Sequence, residues 1–212
     1  MIFHQLSLGP MQNFIYIIGD EKSKEAAVID AGWNVDEIIE AATKEKLKIT
    51  KIILTHYHYD HVQKVNELID KTNAEVYFHE TEYEYIKKSL KNESIKIKKL
   101  KGNDTINIGN IKIKIIHAPG HTPGSICLLA GNKLITGDTL FVGAIGRTDL
   151  PGGDALKLVD SLQKLKKLDD KTKIYPGHDY GATKFSTIGY EKKSNPYFMC
   201  RTKEEFLNLI GY

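Results

Sequence analysis

The first thirty residues alternate short apolar runs with turn-forming pairs. β-type side chains dominate three stretches, at 3–8, 14–18 and 26–30. A Gly-Pro pair at 9–10 and a Gly-Asp pair at 19–20 lie between them and favour turns. This pattern predicts three consecutive β-strands at the start of the chain.

The periodicity changes to that of a helix after residue 33. Asn34 or Asp36 is a suitable N-cap, and the apolar positions that follow recur at helical spacing: Ile38, Ile39, Ala42 and Leu47. A β-rich run at 49–55 predicts the next strand. A second helical stripe comes after it: Val62, Val65, Leu68 and Ile69.

The rest of the chain also contains both β-type runs and helical patterns. We expect a strand at 74–78, a helix at 80–90, and further strands at 111–116, 125–129, 134–136 and 172–175, the last of the chain. An amphipathic helix is predicted at 155–168, with these residues on its apolar side: Leu156, Val159, Leu162 and Leu165. A short helix at 202–210 ends the chain, with Thr202 and Glu205 at capping-box spacing.

Strands alternate with helices, yet several strands are adjacent in sequence. That order favours mixed sheets with helices packed outside them over a doubly wound parallel sheet. The sequence contains no internal repeat and no Pro/Ser-rich linker, so we expect residues 1–212 to form one domain.

Composition narrows the class of protein further. With 41% hydrophobic and 27% charged residues, the chain is typical of a globular protein, and a net charge of +3 argues against a nucleic-acid binder. No apolar run approaches the ~18 residues of a membrane span, and the N-terminus lacks the features of a signal peptide. Cys127 lies in an apolar run and is interpreted as a core thiol, while Cys200 completes no CxxC motif. We therefore expect no disulfide framework and a cytoplasmic location.

Four potential metal ligands lie within six residues, directly after the predicted strand at 49–55. His56 and His58 are two positions apart, which at a strand end sends both imidazoles the same way. Asp60 and His61 follow where the next helix begins, so they can face a different point. One loop could thus serve two adjacent ions of zinc, iron or manganese. The alternative is a polar loop of satisfied histidines, but such a cluster would be hard to bury without a metal.

Three later loops carry the same residue types. His121, Asp138 and His178 each follow a β-type run and have glycine beside them. Each alone could be a turn residue with a local hydrogen bond. Together with the first loop they form a constellation, because strand-end loops on a rigid sheet are where sites are built.

The ordered motifs HxHxDH, GHTPG, TGD and PGH resemble those of the metallo-β-lactamase superfamily, over about 14–196. The resemblance implies an α+β fold, an αββα sandwich of two mixed sheets flanked by helices. It implies a first metal bound by His56, His58 and His121, a second bound by Asp60, His61 and His178, and a bridging carboxylate at Asp138. It further implies that Asp30 orients a ligand histidine by accepting its other N–H.

A two-metal site predicts Lewis-acid hydrolysis. Two divalent ions about 3.5–4 Å apart can share one hydroxide. Zinc is the first candidate for both ions, with iron or manganese as alternatives. Asp60 could also act catalytically by orienting that hydroxide. The sequence has no GxSxG to indicate a serine nucleophile.

Narrower motifs, GDTLF at 137–141, GRTD at 146–149 and PGHDY at 176–180, resemble the branch of hydroxyacylglutathione hydrolase (glyoxalase II) and the persulfide dioxygenases. The resemblance implies a small thioester or thiol as substrate, near Arg147 and Tyr180. Arg147 could instead be a structural residue bonded to loop carbonyls, and Tyr180 could belong to the core. The chain also departs from glyoxalase II, because it ends in one short helix where that family has a helical domain contacting glutathione.

Three hypotheses follow for the function. The first is a thioester hydrolase with two metals. The alternative is a persulfide dioxygenase with one iron, held by residues matching His56, His121 and Asp138. The third is a nucleic-acid-binding or non-catalytic member, based on the lysine-rich segment 87–101, although such blocks are usually a solvated face. The oligomeric state is not predicted.

Overall fold

Two six-stranded β-sheets form the centre of the protein in a computed structural model that describes residues 1–91 and 94–211. The first sheet contains, in spatial order, β1 (Ile2–Leu8), β2 (Asn13–Gly19), β3 (Glu25–Ile29), β4 (Lys48–Ile53), β5 (Glu75–His79) and β6 (Ile97–Leu100). Its first three strands are antiparallel, and β3 to β6 are parallel.

The second sheet is built from the C-terminal half of the chain. Its strands are β7 (Thr105–Ile108), β8 (Ile111–His117), β9 (Ile126–Ala130), β10 (Lys133–Gly137), β11 (Lys173–Pro176) and β12 (Ser186–Thr187), again in spatial order. All neighbours are antiparallel except β10 and β11, which run parallel.

Eight α-helices in the described residues surround these sheets. They are α1 (Val35–Lys44), α2 (Tyr59–Val62), α3 (Val65–Thr72), α4 (Tyr83–Ser89), α5 (Ala155–Leu165), α6 (Ile188–Ser194), α7 (Pro196–Met199) and α8 (Lys203–Ile210). None of the helices in 1–91 and 94–211 is long and apolar enough to cross a membrane.

The core has three layers, because both faces of each sheet are covered. In β2, Phe14 and Tyr16 face the second sheet, while Ile15 and Ile17 face α1 and α3. A third cluster lies between the second sheet and the helices α5 and α8. The predicted αββα sandwich is therefore confirmed.

Several sequence-based predictions about single elements were wrong. The strands β6 and β7 were missed, and 172–175 is not the last strand, because β12 follows it. The helices α6 and α7 were also missed. The helix expected at 80–90 begins with a 3₁₀ turn, and its lysine-rich continuation includes Asn92 and Glu93, which lie outside the described residues.

The apolar face of α5 differs from the prediction by one residue. Leu156 is 49% exposed, whereas Leu158 is fully buried. The N-terminus of α5 packs against the backbone of Gly120, and a Cβ at that glycine would lie 2.3 Å from Cα of Leu158. The helix thus supports the loop that carries His121.

Replacement of Leu158 by alanine tests this packing. We expect Leu158→Ala to lower the free energy of unfolding by about 2–5 kcal/mol, because it leaves a cavity beneath the second sheet. Urea unfolding at constant metal content measures the change. The matched variant Leu156→Ala should change stability by less than about 0.5 kcal/mol. Equal losses in the two variants would contradict this assignment of the buried face.

Candidate metal centre

All seven side chains predicted as metal ligands lie together at one edge of the sandwich, in the loops that follow β4, β8, β10 and β11 and in the short helix α2. Within 1–91 and 94–211, the ligand atoms of His56, His58 and His121 lie no more than 4.8 Å apart, and so do those of Asp60, His61 and His178. Asp138 stands between the two groups. The parallel pairing of β10 with β11 brings the TGD and PGH loops side by side.

The first group presents ring nitrogens to one another. Nε2 of His121 lies 2.9 Å from Nδ1 of His58. His121 donates its Nδ1–H to the carbonyl oxygen of Arg147 at 2.8 Å, so its Nε2 carries the free lone pair. Nε2 of His56 is buried and, in the described part of the chain, has no hydrogen-bond partner. These nitrogens fit a metal ion, which would bind the lone pairs that no donor occupies.

The ligand atoms of the second group also face one another. Nε2 of His61 lies 3.1 Å from Nε2 of His178, and Oδ2 of Asp60 is 3.3 Å from both nitrogens. His178 donates its Nδ1–H to the carbonyl of Met11 at 2.8 Å. Both imidazoles therefore turn Nε2 towards the centre of the group.

Asp138 connects the two groups. One of its oxygens, Oδ2, is 3.3 Å from Nε2 of His178 and 3.7 Å from Nε2 of His121. The other, Oδ1, lies 3.5 Å from Nε2 of His61 and is buried without a hydrogen-bond partner among the described residues. A Cβ at Gly177 would lie 2.1 Å from this oxygen, so only glycine leaves the space beside the carboxylate open.

The two groups differ in charge. Burial lowers the pKa of His58 to about 4, with a further contribution from His121, so the first group favours neutral imidazoles. Burial also acts on His178, but its bonds to Asp138 and Asp60 raise its pKa to about 9. The carboxylates of Asp60 and Asp138 thus create a negative potential in the second group, which favours a bound positive charge. Either a metal ion or a proton on His178 supplies that charge.

Asp30 fixes the orientation of the ligand histidines in both groups. Its Oδ2 lies 3.0 Å from Nδ1 of His61 and accepts the Thr55 hydroxyl at 2.7 Å, while its Oδ1 accepts the Thr55 backbone N–H at 2.7 Å. Oγ1 of Thr55 lies 3.0 Å from Nδ1 of His56 and accepts that N–H. Asp30 has a left-handed backbone, with φ of 60°, which aims its side chain into this network.

Sequence reasoning missed three residues that support the site. Thr55 was seen only as the start of the motif. Asn13, which donates to Asp60 at 2.8 Å, was not singled out in the sequence. Glu82 was only one position of the helix expected at 80–90, but its carboxylate is buried and accepts from the Thr122 hydroxyl at 2.8 Å and the Gly124 backbone N–H at 2.5 Å. Only the position of Thr55 beside the motif was a usable signal.

A cavity of about 530 Å³ opens above the two groups. Its apolar wall is formed by Met11, Tyr59, Phe141, Ala144, Ile145, Leu150 and Tyr180. The ring of Tyr180 stacks on that of His178, with centroids 4.6 Å apart, and is 56% exposed, so it belongs to the cavity and not to the core. Arg147 also lines the cavity, and its guanidinium donates to both oxygens of Asp149, at 2.7 and 2.5 Å.

The fold and the two candidate ligand groups match those of a known protein superfamily. The model of the metallo-beta-lactamase superfamily matches residues 8–178, and the chain belongs to that superfamily. The match begins before the first motif-bearing strand and ends at His178.

Three similar proteins cover nearly the whole chain. It is 33% identical to the probable polyketide biosynthesis zinc-dependent hydrolase PksB of Bacillus subtilis, over 92% of the chain and 85% of that protein. It is 32% identical to hydroxyacylglutathione hydrolase GloC of Haemophilus influenzae, over 88% of the chain and 92% of that protein. The crystal structure of ETHE1 from Myxococcus xanthus superposes with a TM-score of 0.88 at 32% identity, covering 99% of this chain and 90% of that one. The expected glyoxalase II-like and persulfide dioxygenase-like branch is confirmed.

The buried carboxyl of Glu82 gives a testable dependence on pH. Burial raises its pKa from 4.5 to about 7, although its bonds to Thr122 and Gly124 act in the opposite direction. The folded protein therefore binds more protons than the unfolded chain between these two values. The free energy of unfolding falls there as pH rises, by about 3 kcal/mol from this group.

The variant Glu82→Gln isolates this contribution, since glutamine cannot ionise. We expect the stability of the native protein relative to Glu82→Gln to fall as pH rises from about 4.5 to 7 and then to level off. Urea unfolding of both proteins across that range, at fixed metal content, measures it. Parallel stability curves would show that Glu82 does not titrate in this window.

Proposed function

We propose that the chain is a two-metal hydrolase that cleaves thioesters of small thiols. The observation that carries the proposal is the pair of three-ligand groups with the Asp138 carboxylate between them. In this proposal His56, His58 and His121 hold one divalent ion, and Asp60, His61 and His178 hold the other. Zinc is the first candidate, since a similar protein is named as zinc-dependent.

Two divalent ions in these groups would polarise a thioester carbonyl and supply hydroxide at neutral pH. The protein's own contribution is orientation. Asp30 and the backbone carbonyls of Met11 and Arg147 fix the ligand rings, so that little reorganisation accompanies the reaction. The Asp60 carboxylate faces the centre of the second group, where it would help to orient the attacking hydroxide.

The cavity supports a small thioester as substrate. Its apolar wall excludes water from the carbonyl and packs against the acyl group, and Tyr180 stands at its opening. Arg147 is the cationic residue at the same wall, where its charge is shared with Asp149. The name of a similar protein, hydroxyacylglutathione hydrolase, supports the same substrate class.

We propose that residues 1–212 form one catalytic domain. The segment after β4 of the first sheet, a loop followed by α2, supplies His56, His58, Asp60 and His61. The loops of the second sheet supply His121, Asp138 and His178. Neither sheet alone carries a complete set. The free, buried thiols of Cys127 and Cys200 suit the cytoplasmic location that we propose for it.

A persulfide dioxygenase with one iron is the second candidate. It would use His56, His121 and Asp138, of which the last two approach to 3.7 Å. The unpartnered atoms Nε2 of His56 and Oδ1 of Asp138, in 1–91 and 94–211, also favour a shared ion at this place. One iron per chain, with oxygen uptake on a persulfide, would establish this function and exclude the first.

We do not propose nucleic acid as a partner of this protein. In the lysine-rich segment, the Lys99 ammonium lies 3.4 Å from the centroid of the Tyr83 ring, and Lys101 pairs with Glu80 at 3.8 Å. Lysines that are paired in this way along an edge strand are typical of a solvated face.

Removal of one histidine of the first group, or of the carboxylate between the groups, tests the proposed function. We expect His56→Ala and Asp138→Ala each to lower thioester hydrolysis about 100-fold or more and to reduce bound metal, because each deletes a ligand that no neighbour replaces. Elemental analysis and a thioester assay measure both effects.

The matched controls are His4→Ala and Asp36→Ala, which remove the same residue types outside the two ligand groups. His4 pairs with Glu45, and Asp36 pairs with Lys71. Both should keep native metal content and rate. Native metal content and rate in His56→Ala and Asp138→Ala would remove the proposed mechanism.

A further inference from the structure

A buried asparagine lies directly against the Asp60 side chain. Asn13 begins β2 and is 1% exposed. Its Nδ2 donates to Oδ2 of Asp60 at 2.8 Å and lies 3.3 Å from the Asp60 carbonyl oxygen. A single amide group thus contacts both the carboxylate and the backbone of this candidate ligand.

The tryptophan of the chain fixes which way that amide points. Trp33 donates its Nε1–H to Oδ1 of Asn13 at 2.8 Å. An indole can only donate, so the oxygen of the amide must face Trp33 and its NH₂ group must face Asp60. Trp33 is the single tryptophan in the sequence.

The segment that carries Trp33 rests on the backbone of Asp60. A Cβ at Gly32 would lie 1.7 Å from the Asp60 carbonyl oxygen, so only glycine permits this approach. On the other side, Asn13 forms a β-bridge with His178, and the neighbouring Phe14 donates its N–H to Gly177 at 2.7 Å. Asn13 is therefore held from both sides beside the second ligand group.

We propose that Asn13 is a positioning residue for the second metal: oriented by Trp33, it holds Oδ2 of Asp60 at the point where His61 and His178 converge. This inference rests on the proposed two-metal function. The oxygen has a second lone pair, so it can accept the Asn13 hydrogen bond and still bind an ion. Nδ2 of Asn13 also lies 3.4 Å from Nε2 of His61, so the amide contacts two members of the second group.

Calorimetric titration of zinc into metal-free protein tests the proposal with a readout other than activity. The native protein should bind two equivalents. Asn13→Leu keeps the branched shape of the side chain but cannot donate. We expect it to bind the second equivalent about 10–100-fold more weakly, which is the usual effect of losing a group that orients a ligand. The first equivalent should bind as in the native protein.

Asn110→Leu is the matched control. Asn110 also donates its amide to an aspartate, Asp20, at 2.9 Å, but at the opposite end of β2. This variant should bind both equivalents with native affinity. Equal weakening of both equivalents in Asn13→Leu, or native affinity for both, would overturn the proposal.

Trp33 supplies a second, independent measurement. Because the Trp33 indole N–H bonds to Asn13 beside the second group, we expect Trp33 emission to change as the second equivalent binds, and this change to be lost in Asn13→Leu. Trp33→Phe keeps an aromatic ring but removes the N–H, and should weaken the second equivalent by about tenfold. It also tests the proposal if Asn13→Leu does not fold. Native zinc affinity in Trp33→Phe would overturn the orienting role of the indole.

Failure of the proposed function gives a different result. A native protein that binds a single equivalent has no second metal to position, which overturns both proposals. A native protein that binds two equivalents and hydrolyses thioesters, with native affinities in Asn13→Leu, overturns this inference alone.

Discussion

The candidate metal centre depends on the hydrogen bonds of one buried carboxylate, that of Asp30. It is 2% exposed, and its hydrogen bonds reach His61 directly and His56 through the hydroxyl of Thr55. A buried charge of this kind is costly unless donors surround it. Here the donors are also the groups that must be oriented. One anion therefore sets the direction of an imidazole in each ligand group, and the parallel pairing of β3 with β4 places it there.

The sandwich makes this convergence possible. Strands packed into the two sheets keep their ends fixed, and every candidate ligand lies just beyond such an end, in a loop or in the short helix α2. The two ligand groups then differ through their neighbours. The first, with His58 at a pKa of about 4, offers neutral nitrogen atoms, whereas the second, with His178 at about 9, is surrounded by carboxylates. Two adjacent positions for cations thus have different electrostatic character within one pocket.

The sandwich and the seven clustered side chains were predicted through the resemblance of four motifs to a known family, and the motifs could be recognised because each is a local signal: ligand residue types directly after an apolar strand. What it missed is decided by tertiary contacts. Helical spacing allowed either Leu156 or Leu158 to be buried, and the approach of α5 to Gly120 selects the second. The strands β6 and β7 are short edge segments whose alternating polar residues weaken the apolar signal. Asn13 and Glu82 had no local pattern, since each acts through a partner distant in sequence.

The ligand-bearing loops come from both sheets and from widely separated parts of the chain. Ions that bridge them would act as cross-links, which restrict an unfolded chain more strongly the longer the loops they close. Metal supply would then govern the lifetime of the protein as well as its turnover. Loss of the ions would leave the buried groups of this edge without the charge that bridges them. We therefore expect the edge to open locally, and to become accessible to proteases, before the rest of the sandwich unfolds.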